Sequence, residues 1–284
     1  QGIDGFVTRF SADGKNLEFF SYLGGTGDDY ALCVAVDGTG RACIGGKTKS
    51  NNFPVDIPYQ KLTGGQFDGF ITKLSASGQG VDFSTYLGGG GNDEITAIAD
   101  YSGYTYVGGT TGSGLPKTFP VPPPGSWGGP SPDPDRIPYK NVFNSGNFSD
   151  GFIGKFNSAG NLSAWEVEYL TYIGASKNES IRAITVLDDG SAIIAGETNS
   201  TDYVKGFPSS NTSIQFKGGA TDIYVSKLSP NGRLLRSSIM FGGSGADSVS
   251  AISVSSVTGE IYVVGKTTSL DFQMSQLSPP IAAE

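Results

Sequence analysis

The chain has 284 residues, a formal net charge of −8 and no His, with 43 Gly and only 16% charged residues. The negative charge makes nucleic acid and anionic membrane surfaces poor candidate partners. Membrane insertion is not expected, because no apolar run approaches the roughly 20 residues of a membrane-spanning helix. The absence of His excludes Ser-His-Asp and Cys-His catalysis and His-ligated zinc.

The first two predicted strands form a hairpin at the start of the chain. Residues 4–10 have the sequence DGFVTRF and residues 19–25 have the sequence FFSYLGG, with the turn SADG between them. We call the first segment C and the second segment D. In every later unit two further segments, A and B, come before C and D. Short alternating segments around a Gly-containing turn predict paired antiparallel strands.

A complete unit of four segments follows within residues 26–90. Segment A is ALCVAVD, segment B is RACIGGKTKS, segment C is DGFITKL and segment D ends in TYLGG. Cys33 and Cys43 flank the Asp-Gly turn between A and B, so they could face each other across paired strands, within disulfide reach. The alternative is that both are buried thiols.

The order A, B, C, D recurs at 91–175 and at 176–243, and a further A and B follow at 244–270. Tandem sheets of four antiparallel strands predict a β-propeller. The C and D segments at 4–25 would join the A and B segments at 244–270 in one blade and so remove the exposed sheet edges. We therefore predict one all-β domain, a β-propeller of four four-stranded antiparallel blades. The alternative is part of a larger ring or array.

The second unit carries a Pro-rich insert, PPPGSWGGPSPDPDR, at 122–136. The insert contains Trp127, and Tyr139 follows it in IPYKNV, which makes both candidate ligand-binding residues. An aromatic side chain on a Pro-stiffened loop could stack on a sugar ring or hold a partner protein. The alternative is that Trp127 covers the base of its own loop.

Several phrases recur in one fixed order and together carry a family resemblance. DGFITKLSASG, FSTYLGGGGND, YVGGTTGS and FPV resemble the SBBP family, a bacterial-type β-propeller repeat, over nearly the whole chain. The resemblance implies propeller architecture and a secreted or surface-exposed protein with no assigned catalytic residues to carry over. The family name implies seven blades, whereas this sequence has four units.

Two sets of carboxylates recur once in each unit. One set opens segment C and the other precedes segment A: Asp4, Asp68, Asp150 and Asp222, then Asp29, Asp93, Glu179 and Asp247. If segment A is innermost, the second set would surround a narrow channel, where mutual repulsion raises pKa values unless a cation such as Ca²⁺ is bound. The alternative is that each carboxylate caps backbone N–H groups of its own loop or of the next blade.

Five Asn-x-Ser/Thr sequons are candidate N-glycosylation sites if the source secretes through a glycosylating pathway. They are Asn147, Asn161, Asn178, Asn199 and Asn211. No signal peptide is recognisable, so we expect the chain to begin after a cleavage or within a larger precursor.

A rigid disc without nucleophile chemistry favours a non-enzymatic extracellular module. We expect such a module to act in structure or adhesion, through protein partners or self-assembly in a filament or surface layer. A carbohydrate-binding propeller that recognises a glycan is the second hypothesis. The third is a carbohydrate-active enzyme, because paired carboxylates can hydrolyse glycosides without His. No single pair stands out among the acidic residues.

Overall fold

A computed structural model describes residues 2–61, 63–112, 115, 148–158, 166–203, 212–213 and 218–272. In these ranges the chain forms strands and turns but no helix, so the all-β prediction is confirmed for the part described. The strands are β1 (Gly5–Phe10), β2 (Leu17–Leu23), β3 (Asp29–Val36), β4 (Ala42–Thr48), β5 (Asp68–Leu74), β6 (Val81–Leu87), β7 (Asp93–Tyr101), β8 (Tyr104–Thr111), β9 (Asp150–Asn157), β10 (Glu166–Ile173), β11 (Glu179–Val186), β12 (Ala192–Thr198), β13 (Thr212–Ser213), β14 (Asp222–Leu228), β15 (Leu235–Phe241), β16 (Asp247–Val254) and β17 (Ile261–Thr267).

Three sheets contain the predicted A, B, C and D strands side by side. Their orders are β3-β4-β5-β6, β7-β8-β9-β10 and β11-β12-β14-β15, and all of these pairs are antiparallel. In the third sheet the two-residue strand β13 lies parallel to β15 at the outer edge. Tight turns with Gly at positive φ, such as Gly40, Gly78 and Gly232, connect neighbouring strands.

The sheets stack in chain order. The first strand of each sheet packs on the first three strands of the preceding one: β7 on β3, β4 and β5, then β11 on β7, β8 and β9, then β16 on β11, β12 and β14. Glycines in strand B permit this close packing. A Cβ added at Gly45 would lie 2.6 Å from Ile95 Cγ2, and one at Gly108 would lie 2.6 Å from Ile181 Cγ2. In the third sheet Ala195 and the smaller Val249 share the equivalent cluster.

The two ends of the chain differ from the prediction. The strands β1–β2 and β16–β17 form separate two-stranded sheets, so the described residues do not contain the blade that was to join 4–25 with 244–270. Strand β1 packs against β3 at one end of the series, and β16 packs against β11 at the other. The structure thus shows sheets of four antiparallel strands with a half-sheet at each end.

Candidate functional site

The two carboxylate sets meet where each D strand turns into the next A strand. Seven of these carboxylates are at most 1% exposed, namely Asp29, Asp68, Asp93, Asp150, Glu179, Asp222 and Asp247. Three of the four junctions therefore bury two acidic groups, one from the start of strand C and one from the start of strand A, whereas at the first junction Asp29 is buried and Asp4 is half-buried.

The first Gly of the recurring YLGG motif separates the two carboxylates. A Cβ added at Gly88 would overlap Asp68 Oδ1 and lie 2.8 Å from Asp93 Oδ2. The same arrangement recurs at Gly24 with Asp4 and Asp29, at Gly174 with Asp150 and Glu179, and at Gly242 with Asp222 and Asp247. Only hydrogen fits in this space, and a Cα–H group facing carboxylate oxygens makes a weak favourable contact. The motif recurs because every junction needs this glycine.

Backbone and hydroxyl groups surround the carboxylates that precede strand A. Each accepts a hydrogen bond from an N–H four residues earlier: Gly25 to Asp29 (2.6 Å), Gly89 to Asp93 (2.7 Å), Ala175 to Glu179 (2.8 Å) and Gly243 to Asp247 (2.8 Å). Hydroxyls at the end of strand B donate as well, such as Ser50 to Asp29 at 2.7 Å and Thr198 to Glu179 at 2.7 Å. These hydrogen bonds agree with the alternative in which each carboxylate caps backbone N–H groups of its own loop.

Burial raises the pKa of three of these carboxyl groups. The pKa of Asp68 is raised by burial and by the nearby charge of Asp93, and burial raises the pKa of Asp93 itself. Burial also raises the pKa of Glu179, and the charge of Asp150 adds to this effect. At the Asp68–Asp93 junction and at Glu179, ionisation therefore opposes folding.

The four predicted calcium ligands, Asp29, Asp93, Glu179 and Asp247, belong to four different junctions. Among the residues described, no group of three or more His, Cys, Asp or Glu side chains is placed to hold a metal ion. The calcium prediction therefore rests on the carboxylate pairs alone.

A buried ion pair lies in the first complete sheet, β3-β4-β5-β6, at the end opposite the junctions. Lys73 Nζ is 2.8 Å from Asp37 Oδ2, and both side chains are almost fully buried. Burial alone would raise the pKa of Asp37, but hydrogen bonds from Lys73, Thr39 and Arg41 outweigh it and hold that pKa well below its usual range. This pair links strand C to the A–B turn of the same sheet.

Cys33 and Cys43 are free thiols in the structure, where Cys43 is buried and Cys33 is half-buried. A bulge between Ala31 and Cys33 shifts the pairing of β3 with β4, and Cys33 faces Gly45 while Cys43 faces Ala35. Burial raises the pKa of both thiols to about 12.

Most of the predicted ligand-binding and glycosylation residues lie outside the described ranges, namely Trp127, Tyr139, Asn147, Asn161 and Asn211. Of the two described sequons, Asn178 is exposed and its side-chain oxygen accepts a hydrogen bond from the Ser149 N–H. Asn199 is half-buried, and its side-chain oxygen accepts from the Asn178 N–H at 2.8 Å.

Sequence reasoning missed the apolar surface at the two ends. Phe6, Phe20 and Tyr22 of the first hairpin are 60%, 49% and 72% exposed, and we call them the aromatic face. Their rings contact one another, with Phe6 and Phe20 stacked at 5.8 Å. At the other end Tyr262 and Val264 of β17 are 59% and 60% exposed. The signal in the sequence is that the first hairpin lacks the A and B segments that precede every later pair of C and D segments. Where those segments are present, Phe70 and Tyr86, the counterparts of Phe6 and Tyr22, are 0% and 1% exposed and pack against Phe53.

No family model matches the chain, and no curated protein matches it. The resemblance to the SBBP repeat therefore stays a prediction. In the ranges that the structure describes, no helix is long and apolar enough to cross a membrane.

Proposed function

We propose that the chain is a propeller-type scaffold whose stacked sheets are blades around a common axis. In this proposal it serves as a rigid, non-enzymatic protein-interaction module outside the cell or at the cell surface, within a larger assembly. The observation that carries the proposal is the aromatic face beside the edge of β1 that has no partner strand in the described structure, since large exposed apolar patches mark protein contacts.

The burial of the acidic groups supports a structural role over a catalytic one. General acid–base or nucleophilic chemistry needs a carboxylate that a substrate can reach. Asp68 and Asp93 are each 1% exposed and bond to backbone N–H groups of their own turns. Their recurrence at every junction is expected of groups that hold units together.

The cell-surface setting rests on the family resemblance and the sparse-Lys, Gly-rich composition. Immunogold electron microscopy of native source material, with an antibody against the chain, tests it. We expect label on extracellular or surface material, and label confined to the cell interior would contradict the proposal.

A second measurement tests the non-enzymatic part. Purified chain should not turn over a panel of glycosides above the rate of a matched Asp93→Asn variant. Hydrolysis that is abolished by Asp93→Asn or by Asp68→Asn in a folded variant would replace the scaffold proposal with an enzymatic one.

A further inference from the structure

We infer that the partner of each chain end is the opposite end of a second copy, so that β16–β17 of one copy and β1–β2 of the next form one four-stranded sheet. This inference rests on the proposed scaffold function and names its partner. It is a head-to-tail contact in which strand β17 adds to the open edge of β1.

The three complete sheets give the register of that contact. In each of them the Thr that ends strand B faces the Asp that opens strand C: Thr48 with Asp68, Thr111 with Asp150, and Thr198 with Asp222. Strand β17 ends in the same Gly-Lys-Thr as β4, and β1 follows Asp4 as β5 follows Asp68. The corresponding register pairs Thr267 with Asp4, Val264 with Val7 and Val263 with Thr8.

The exposed face of β3 indicates which strands are absent beside it. Every later A strand packs on the A, B and C strands of the preceding sheet, whereas β3 follows a hairpin that has only C and D strands. Leu32, Val34 and Val36 of β3 are accordingly 43%, 60% and 62% exposed. An A–B hairpin such as β16–β17 would cover them.

Side-chain size favours β17 as the occupant. Where one sheet packs on the next, the B-strand residue is small and the A-strand residue that faces it is large, with Gly45 against Ile95 and Gly108 against Ile181. The third sheet has Ala195 and Val249 together. In β3 the equivalent residue is Ala31, which lies over Gly5 as Ile95 lies over Gly69. An Ala at this position leaves room for a large partner, and β17 carries Val264 there.

The segment after β17 completes the match. In the first sheet Phe53 packs on Phe70, and the Tyr86 hydroxyl donates to the Ser50 carbonyl at 2.7 Å. Ser269 and Phe272 follow β17 at the spacing of Ser50 and Phe53 after β4. Docked on β1–β2, Phe272 would cover Phe6, and the Ser269 carbonyl would meet the Tyr22 hydroxyl.

A second copy, and not the same chain, is the occupant because the structure holds the two hairpins in separate sheets and leaves the aromatic face, Tyr262 and Val264 exposed. Two copies provide four half-sheets, which is enough to complete two further blades and close a ring. Repetition without closure gives a polar filament. Both assemblies contain the same β17–β1 contact.

Thiol cross-linking in the full 284-residue chain tests the contact. Thr8→Cys in one preparation and Val263→Cys in a differently tagged one are mixed and treated with a short bismaleimide, which forms a C–S bond with each thiol. The native thiols stay protonated because burial raises the pKa of each to about 12. We expect a covalent species that carries both tags. The control pair, Thr8→Cys with Tyr262→Cys, is one residue out of register and faces the opposite side of the sheet.

Sedimentation analysis completes the test. We expect oligomers that grow with concentration and are lost in Phe6→Ser, an exposed position whose substitution leaves the fold intact. A chain that stays monomeric at every concentration, or a Thr8→Cys/Val263→Cys double variant that links only within one molecule, would overturn the inference. Either result contradicts the contact between copies but not the proposed function, provided that the antibody against the chain still labels the cell surface. Failure of the inference can therefore be distinguished from failure of the proposed function.

Discussion

At Gly88 a single hydrogen separates two buried carboxylates, and this arrangement predicts the effect of one methyl group. We expect Gly88→Ala to lower the free energy of unfolding by at least about 2 kcal/mol, because the new Cβ would overlap Asp68 Oδ1 and force the turn apart. Gly38→Ala is the matched control, since a Cβ there meets nothing within 4 Å. Urea denaturation of both variants measures the difference, and equal midpoints would refute the steric account.

Lys73 permits a second test at the scale of one residue. We expect Lys73→Met to destabilise the fold by about 3 kcal/mol, because it leaves the buried Asp37 without its closest cation. Arg9 occupies the same position in the first hairpin and pairs with Glu18, but both of those side chains are about 40% exposed. Arg9→Met should therefore cost below about 1 kcal/mol. A larger loss in Arg9→Met than in Lys73→Met would contradict this ranking.

At the scale of the element, the junction between D and A strands predicts how stability depends on pH. The pKa values of Asp68, Asp93 and Glu179 are raised by burial, so the folded state binds these protons more tightly than the unfolded state. Their contribution is fully present below the unfolded pKa of about 4 and is lost as pH rises through the folded values. We expect the urea midpoint to increase as pH is lowered from 7.5 to 5.

The contribution of Asp37 to stability changes with pH in the opposite direction, and it does so at lower pH. Because its pKa is held below the usual range, its contribution is present above the unfolded pKa and is lost on further acidification. The stability curve should therefore have a maximum in mildly acid solution. An Asp93→Asn variant should flatten the rise between pH 7.5 and 5, and an unchanged slope in that variant would show that another group causes it.

The loop after strand B contributes a hydrogen-bonded cap to the first sheet. The Tyr86 hydroxyl donates to the Ser50 carbonyl and accepts from the Phe53 N–H at 3.1 Å. We expect Tyr86→Phe to cost about 1 to 2 kcal/mol, since it leaves two buried backbone groups without this partner. Tyr22→Phe, at the exposed counterpart, should change stability by less than about 0.5 kcal/mol in the monomer. Thermal unfolding at low protein concentration compares the two.

The sequence predicted the elements better than their contacts. Alternation, turn glycines and the order of segments were enough to predict the strand order of the three complete sheets. The bulge between Ala31 and Cys33 was not predictable, and equivalent bulges occur in β7, β11 and β16. The turn pairs Val36 with Ala42, which places Cys33 opposite Gly45 and Cys43 opposite Ala35, and the bulge then shifts the pairing of Asp29 to Ala31 by one residue. Likewise, the recurrence of both carboxylate sets is readable from the sequence, but their approach across Gly88 depends on backbone geometry.

At the scale of the whole molecule, a stack with a half-sheet at each end should not be uniformly stable. We expect backbone amides of β8 and β9 to exchange with deuterium more slowly than those of β1 and β17, which have an unpaired edge in the described structure. Hydrogen exchange with mass spectrometry at low concentration measures this gradient. Raising the concentration should slow exchange in β1 and β17 if the ends associate, and uniform exchange across the chain would contradict the arrangement.

The glycine between two acids has a further consequence for how such a chain can change length over evolutionary time. A duplicated unit such as 26–90 carries one A-strand carboxylate, one C-strand carboxylate and one YLGG glycine, namely Asp29, Asp68 and Gly88, so each added copy supplies the groups for one more junction with its neighbour. A gene that gained or lost one unit would need no compensating change in distant residues. Tandem duplication is thus mechanically simple for this architecture, and the number of units becomes a quantity that selection can adjust freely.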